Sequence, residues 1–352
     1  MEYSKSPKQD TTKPVRNSRR RRLAIVICVV IVILGALFFT GMSYVTTGYK
    51  GSEPVRISFS EGTTPEQMRD LLTSQLGSYG GKVYWLWSVM GHGAPHGSYV
   101  VRPDMAAFRA ARMIAKGRQT PVRLTFNNLR TFSQLCGRIG AVMECDSASF
   151  AAAADSILPG RGYTVAAFPA AFVPDTYEFY WTDSASRIVE RLVSVRDDYW
   201  NDSRRAKAKS LGLTPVQVAT VASIVEEETS KADERPLVAR LYLNRLKKKI
   251  KLQADPTVKY AIGDFTLRRI LGKHLAVESP YNTYKVEGLP PGPIRISDRS
   301  AMDAVLDAPE HDYIYMCARE DFSGYHNFAT DYATHQANAR RYRQALDRRG
   351  IR

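Results

Sequence analysis

Hydrophobic and polar positions along this chain follow two periods, and the switches between them predict its elements. The run Leu23–Phe39 carries no charge and continues through Thr40–Val45 to a length that spans a bilayer as one helix. Beyond it, Val55, Ile57 and Phe59 alternate with polar residues as in a half-buried strand. A Glu61-Gly62 turn and a helix follow, with Thr64, Pro65 and Gln67 placed to form a capping box. Gly97–Val101 reads as a second strand and Met105–Ala115 as a helix closed by Lys116-Gly117, giving a small β-helix-β module. A third strand-helix pair takes Val122–Phe126 and Thr131–Ile139. The stretch Gly160–Pro174, rich in Gly, Pro and small residues, predicts a surface loop. Ser186–Leu211 predicts one charged amphipathic helix with Ile188, Leu192, Val195 and Tyr199 on its apolar face. The expected fold class is α+β behind a single N-terminal transmembrane helix.

Charge sharpens the reading of the amino end. The 352 residues hold 50 Lys+Arg against 35 Asp+Glu, a formal net charge of +15. Residues 1–22 contain eight basic side chains, among them Arg19–Arg22, against Glu2 and Asp10, so +6 of that charge sits before the apolar run. By the positive-inside rule this basic tail stays in the cytoplasm and the part after residue 45 faces the extracytoplasmic side. The apolar run is longer than a signal-peptide core and no clear small-residue cleavage site follows it, which favours an uncleaved anchor. Only +9 remains over the outer part, too little to make nucleic acid its partner. Cys28, Cys136, Cys145 and Cys317 show no metal-ligand spacing. His92 and His96 are surrounded by Gly and Pro and cannot share a helix face as metal ligands would. No HExxH, P-loop, GxGxxG or GxSxG string occurs, so no metal or cofactor is expected.

The chemistry concentrates in Leu213–Thr229. Thr214 is a natural N-cap, Pro215 takes the first helical position and Gln217 completes a capping box, which fixes the helix phase. At about 100° per residue, Val218, Val221, Ile224 and Val225 define a buried stripe, and Glu226 and Glu227 turn to solvent. Glu228 returns to the middle of the stripe. A carboxyl driven inward is held protonated by desolvation, the state a general acid needs near neutral pH. The alternatives are that the helix ends by Glu227 or that Glu228 pairs with an arginine such as Arg235 or Arg240. Downstream, polar, aromatic and Pro/Gly-rich loops around Leu252–Thr257, Ser279–Tyr284 and Gly288–Ile294 suit a cleft for a sugar chain, because amides bond hydroxyls and tyrosine rings cover apolar sugar faces. His326 and His335 flank a helix start from which they could cap it or line that cleft.

The ordered strings ASIVEEET (Ala222–Thr229), YLNRL (Tyr242–Leu246), LQADPTVKYAIG (Leu252–Gly263), SPYNTY (Ser279–Tyr284) and GLPPGPI (Gly288–Ile294) resemble the endolytic murein transglycosylases, the YceG-like (MltG) family. The segment from His326-Asn327-Phe328 to His335 is also similar. The resemblance implies a basic tail (1–22), a transmembrane helix (23–45), a small LysM-like module (50–120) and a mixed α/β catalytic domain (121–352) with a helix-borne glutamate. In that family the catalytic glutamate directly precedes Thr, which matches Glu228. The implied reaction cleaves the β-1,4 bond between N-acetylmuramic acid and N-acetylglucosamine in peptidoglycan strands and leaves 1,6-anhydro ends. Asn244, Gln253, Asp255, Tyr281 and Asn282 are the expected substrate-binding residues, with Asp255 alternatively capping a turn before Pro256. Cell-wall synthases such as penicillin-binding proteins are the implied partners. Two other readings stay open: a non-catalytic, membrane-anchored peptidoglycan-binding scaffold, and a hydrolytic muramidase using Glu228 and Asp255.

Overall fold

The computed structural model describes residues 15–91, 93, 95–267 and 269–350. His92 and the tail residues before position 15 lie outside the described residues. The chain divides into two compact units, Met1–Thr120 and Pro121–Arg352.

In the first unit, helix α1 (Val15–Thr46) contains an apolar span over Arg19–Thr46 long enough to cross a membrane. Strand β1 (Val55–Phe59) pairs antiparallel with β2 (Gly97–Val101), Ile57 opposite Tyr99. Between them lie α2 (Pro65–Leu76) and α3 (Ser78–Val89), and α4 (Ala107–Ala115) follows β2. The Thr64 capping box opens α2 as its sequence dictates. Ile57, Phe59, Met68, Leu72, Val83, Tyr99 and Ala111 form the core. Helix α3 is an addition to the β-helix-β reading. Gly80 and Gly81 mask its pattern, and a Cβ at Gly80 would fall 2.0 Å from the Leu72 carbonyl oxygen, so glycine is what lets α3 close onto α2.

In the second unit, β3 (Val122–Phe126) is followed by α5 (Phe132–Gly140) and α6 (Ser147–Ile157), and pairs antiparallel with β4 (Asp175–Phe179). Then come α7 (Ala185–Tyr199), α8 (Asp202–Ser210), α9 (Pro215–Glu228), α10 (Arg235–Lys247), α11 (Asp255–Ile262), the short α12 (Gly272–Leu275) and α13 (Arg299–Leu306). A hairpin of β5 (Tyr315–Ala318) and β6 (His326–Ala329) precedes α14 (Tyr332–Arg348). Two expectations are corrected. The helix expected over Ser186–Leu211 breaks at Trp200, because the Asn201 side chain accepts from the Arg204 N–H (3.0 Å) and caps a new helix. The expected surface loop 160–174 is exposed only in its first part, Val165 being 72% exposed, and its second part is interior: Phe168, Ala171, Phe172 and Val173 are at most 2% exposed. Its small residues serve close packing, since a Cβ at Gly292 would lie 1.9 Å from the Ala166 carbonyl oxygen.

Helix α9 is the centre of this unit. Helices α8, α10, α11 and α13 and the turn 165–171 pack against it, and every residue from Val218 to Val225 is buried. A helix enclosed on all sides has no solvent face to receive charges, so its three terminal glutamates each need an internal solution.

Candidate active site

Three consecutive carboxyls at the end of α9 meet three different environments. Contrary to the solvent positions expected for them, Glu226 and Glu227 are inward. The Glu227 carboxylate takes both Nε (3.1 Å) and Nη2 (2.9 Å) of Arg130 and also Nη1 of Arg295 (2.9 Å). Glu226, whose side chain is 4% exposed, accepts from the Asp298 N–H (3.2 Å) and lies 3.7 Å from Arg295 Nε. Arg295 also donates to Asn128 Oδ1 (2.7 Å), so one guanidinium holds both glutamates to the loop after β3.

Glu228 is the last helical residue before Thr229 turns extended. Among the described residues no arginine pairs with it. Arg235 pairs with Asp298, and Arg240 with Glu310 and the Ala308 and Pro309 carbonyls. The Glu228 Oε1 instead accepts from the Tyr242 hydroxyl (2.8 Å), and the carboxyl lines a cavity of about 390 Å³. Burial pushes its pKa up to about 7; the hydrogen bond from Tyr242 opposes this, the charge of Asp255 adds to it, Lys259 opposes it and Glu227 adds. Glu226 is also raised by burial to about 7, against the charge of Arg295. A raised pKa alone therefore does not distinguish the two carboxyls, whereas the cavity does: Glu228 borders it and Glu226 does not.

Four of the five strings, all but Gly288–Ile294, contribute residues to this cavity. Tyr242 and Arg245 lie three residues apart on α10 and so share a face. Arg245, 5% exposed, donates to the Lys251 and Ile314 carbonyls and to Gln253 Oε1 (2.6 Å). Its charge meets carbonyl dipoles rather than a carboxylate. Gln253, with a left-handed φ of 53°, is fixed on its backbone side by the bond from its N–H to the Thr283 carbonyl (3.1 Å). Arginine can only donate, so it turns the Gln253 carbonyl oxygen toward itself. Asp255 opens α11 just before Pro256 and accepts from the Tyr284 hydroxyl (2.6 Å). Across the cavity stand Tyr315 and Met316 of β5, His326, Tyr332 and His335. His326 Nδ1 is held by buried Glu234 (2.9 Å). His335 stacks on Tyr315 (centroids 5.1 Å apart) and its Nδ1 is buried without a partner. Burial and the charge of Arg245 lower its pKa, which keeps it neutral at neutral pH.

Of the residues expected to bind substrate, the structure brings Gln253 and Asp255 to the cavity with Glu228. The other three lie elsewhere. Asn244 donates to the His311 (2.6 Å) and Tyr313 (3.1 Å) carbonyls and so ties down the strand leading into β5. Asn282, fully buried, donates to the Leu275 and Val277 carbonyls and accepts from the Tyr284 N–H. Tyr281 packs on Tyr260 (4.7 Å). Tyr242, Arg245 and Tyr284, all inside the quoted strings, take their place at the cavity. The Tyr242/Arg245 spacing on a helix was the available signal for two of them; Tyr284 sits in a turn, where no periodicity points.

Known proteins resemble this chain along most of its length. An endolytic murein transglycosylase of Bacillus subtilis (strain 168) is 36% identical over 148 residues, 42% of this chain and 41% of that relative. One of Streptococcus pneumoniae serotype 2 is 29% identical over 149 residues, 41% of this chain and 27% of its own length. The chain thus aligns with less than half the length of these curated relatives. The crystal structure of a YceG-like protein from Listeria monocytogenes superposes with a TM-score of 0.55 at 25% identity, covering 82% of this chain and 99% of that one. The model of the YceG-like family matches residues 57–341, from inside β1 into α14. Since that match takes in most of both units and well over half of the sequence, the chain belongs to the YceG-like family.

Proposed function

We propose that this protein is a membrane-anchored endolytic transglycosylase of peptidoglycan. It cleaves the β-1,4 bond between N-acetylmuramic acid and N-acetylglucosamine within strands and leaves 1,6-anhydro-muramic ends. The observation that carries this reading is one cavity-lining carboxyl, Glu228, raised to about 7 and held by a tyrosine hydroxyl. Two relatives named as endolytic murein transglycosylases support murein as the substrate and transglycosylation as the reaction.

Glu228 enters the reaction protonated and gives its proton to the glycosidic oxygen as the bond to C1 lengthens. The resulting carboxylate then takes the proton of the muramic C6 hydroxyl as that oxygen attacks C1. Because the nucleophile belongs to the same sugar, its effective concentration is high and one carboxyl serves both steps. Tyr242 holds Oε1, leaving the other carboxyl oxygen for proton transfer. The amide nitrogen of Gln253, turned away from Arg245, offers donors to acetamido or hydroxyl oxygens. Tyr315 and Tyr332 offer rings for apolar sugar faces. In the same reading α1 is a single-pass anchor with its basic end cytoplasmic, the rest is extracytoplasmic, the first unit after α1 is LysM-like, and the enzyme works beside cell-wall synthases on nascent strands.

A hydrolytic muramidase is the second reading, because Asp255 borders the same cavity and would be its second carboxylate. Mass spectrometry of products from purified glycan strands, with Glu228→Gln run beside the native chain, separates them. Anhydro ends that vanish in the variant support the transglycosylase, and hydrated ends support the hydrolase. Strand binding with no product from either protein returns the scaffold reading.

A further inference from the structure

Helix α3 is the element the first unit adds to its sequence pattern, and it carries an exposed apolar face. Trp85 is 50% exposed and Val89 65% exposed, while Leu86 and Trp87 on the other side are buried. Lys82, Trp85 and Val89 recur at spacings of three and four and therefore share one face.

That face begins at the end of α1. The Trp85 ring meets Tyr44 edge-on at 5.4 Å, the Lys82 ammonium lies 5.1 Å from the Tyr44 ring, and it donates to Thr47 Oγ1 (2.8 Å). No free linker separates α1 from the unit. The Ala107 N–H bonds the Thr47 carbonyl (2.9 Å), Tyr49 exchanges bonds with Met105 and Asp104, and Gly48 bridges Ala106. From Leu23, roughly 20 helical residues cover the roughly 30 Å hydrocarbon core, so Tyr44 stands at headgroup level and Trp85 stands beside it. Tryptophan, tyrosine and lysine are the residues that settle at this depth, rings among the glycerol groups and ammonium toward the phosphates. Helix α4, packed on both α1 and α3, presents Phe108, 41% exposed. The ionisable charge on α3 is Lys82 and on α4 Arg109 and Arg112, with no acidic residue on either helix.

We propose that the face formed by α3 and α4 is a membrane-contact surface, seated in the interface of an anionic bilayer around the exit of α1. The first unit is then held on the lipid surface rather than hung above it on a tether. This inference rests on α1 being a bilayer anchor. The partner is the lipid surface itself: exposed aromatic and aliphatic groups enter the headgroup-acyl boundary, and Lys82, Arg109 and Arg112, which outnumber Asp104 before α4, face anionic headgroups.

The test uses the full chain reconstituted in vesicles of phosphatidylcholine and phosphatidylglycerol whose acyl chains are brominated near the headgroup. Tryptophan emission is compared for the native chain, Trp85→Phe and Val89→Trp. Expected is quenching by the brominated lipid that falls in Trp85→Phe, together with additional lipid-quenched emission in Val89→Trp. Both positions are exposed, so folding is preserved, and the gain in Val89→Trp does not depend on the loss in Trp85→Phe. Chain that floats with the vesicles while quenching is the same in Trp85→Phe, and while the new indole of Val89→Trp is quenched by aqueous iodide instead, overturns the surface and leaves the anchor standing. Chain that does not float with the vesicles overturns both.

Discussion

The two sides of the α9 terminus hold carboxyls of similar burial and opposite chemistry. On one side Glu226 and Glu227 face Arg295 and Arg130 inside the protein. On the other, Glu228 faces a cavity and a tyrosine hydroxyl, and among the described residues no arginine pairs with it. Glu226 and Glu228 are both raised to about 7 by desolvation. The contrast teaches that a raised pKa reports burial, whereas chemistry requires burial together with an opening through which a substrate can reach the proton.

Exchanging the function of one side tests the contrast most severely. Glu228→Gln is expected to keep the fold and lower strand cleavage by about 10³-fold or more, in line with removal of a general acid, read by release of anhydro-muramic products. On the opposite side, Arg295→Met leaves two buried glutamates short of their shared cation and is expected to destabilise by about 3–5 kcal/mol, read by denaturant unfolding. Loss of activity in that variant should track loss of folded protein.

Smaller changes adjust the acid instead of deleting it. In the proposed mechanism Glu228 acts protonated, so activity is expected to fall as pH rises through about 7. The Tyr242 hydrogen bond lowers that pKa, so Tyr242→Phe moves the alkaline limb of the pH-rate profile upward while lowering the maximum about tenfold. The charge of Asp255 raises it, so Asp255→Asn moves the same limb downward. The slightest effect is on stability. Between the ordinary carboxyl pKa and about 7 the folded state binds more protons at Glu228 than the unfolded state, so this group makes stability fall as pH rises. Glu228→Gln is therefore expected to melt a few degrees above the native chain at pH 8, with the gap closing below pH 5.

Much of the scaffold was legible in the sequence because local signals and tertiary structure agree there. The Thr64 and Thr214 caps set two helix starts as capping boxes, and the alternation of Val122–Phe126 matches a strand with Val122, Leu124 and Phe126 buried. The helical wheel turned Glu228 inward and sent Glu226 and Glu227 to solvent, because a wheel assumes one wet face and α9 has none. The Gly/Pro stretch 160–174 told of irregular backbone, and irregular backbone is not the same as exposure. Asn244 and Asn282 show a further limit. An amide that can bind a glycan can equally bind a neighbouring carbonyl, and only the path of the loops, which Asn282 itself helps to close, decides between them.

The enclosure of α9 also governs its motion. Because Val218–Val225 are buried, their amides are expected to be among the slowest to exchange with solvent deuterium, which hydrogen-exchange mass spectrometry would read. The Glu228 carboxyl is thus mounted at the tip of an enclosed helix, and its proton affinity is set by packed surroundings.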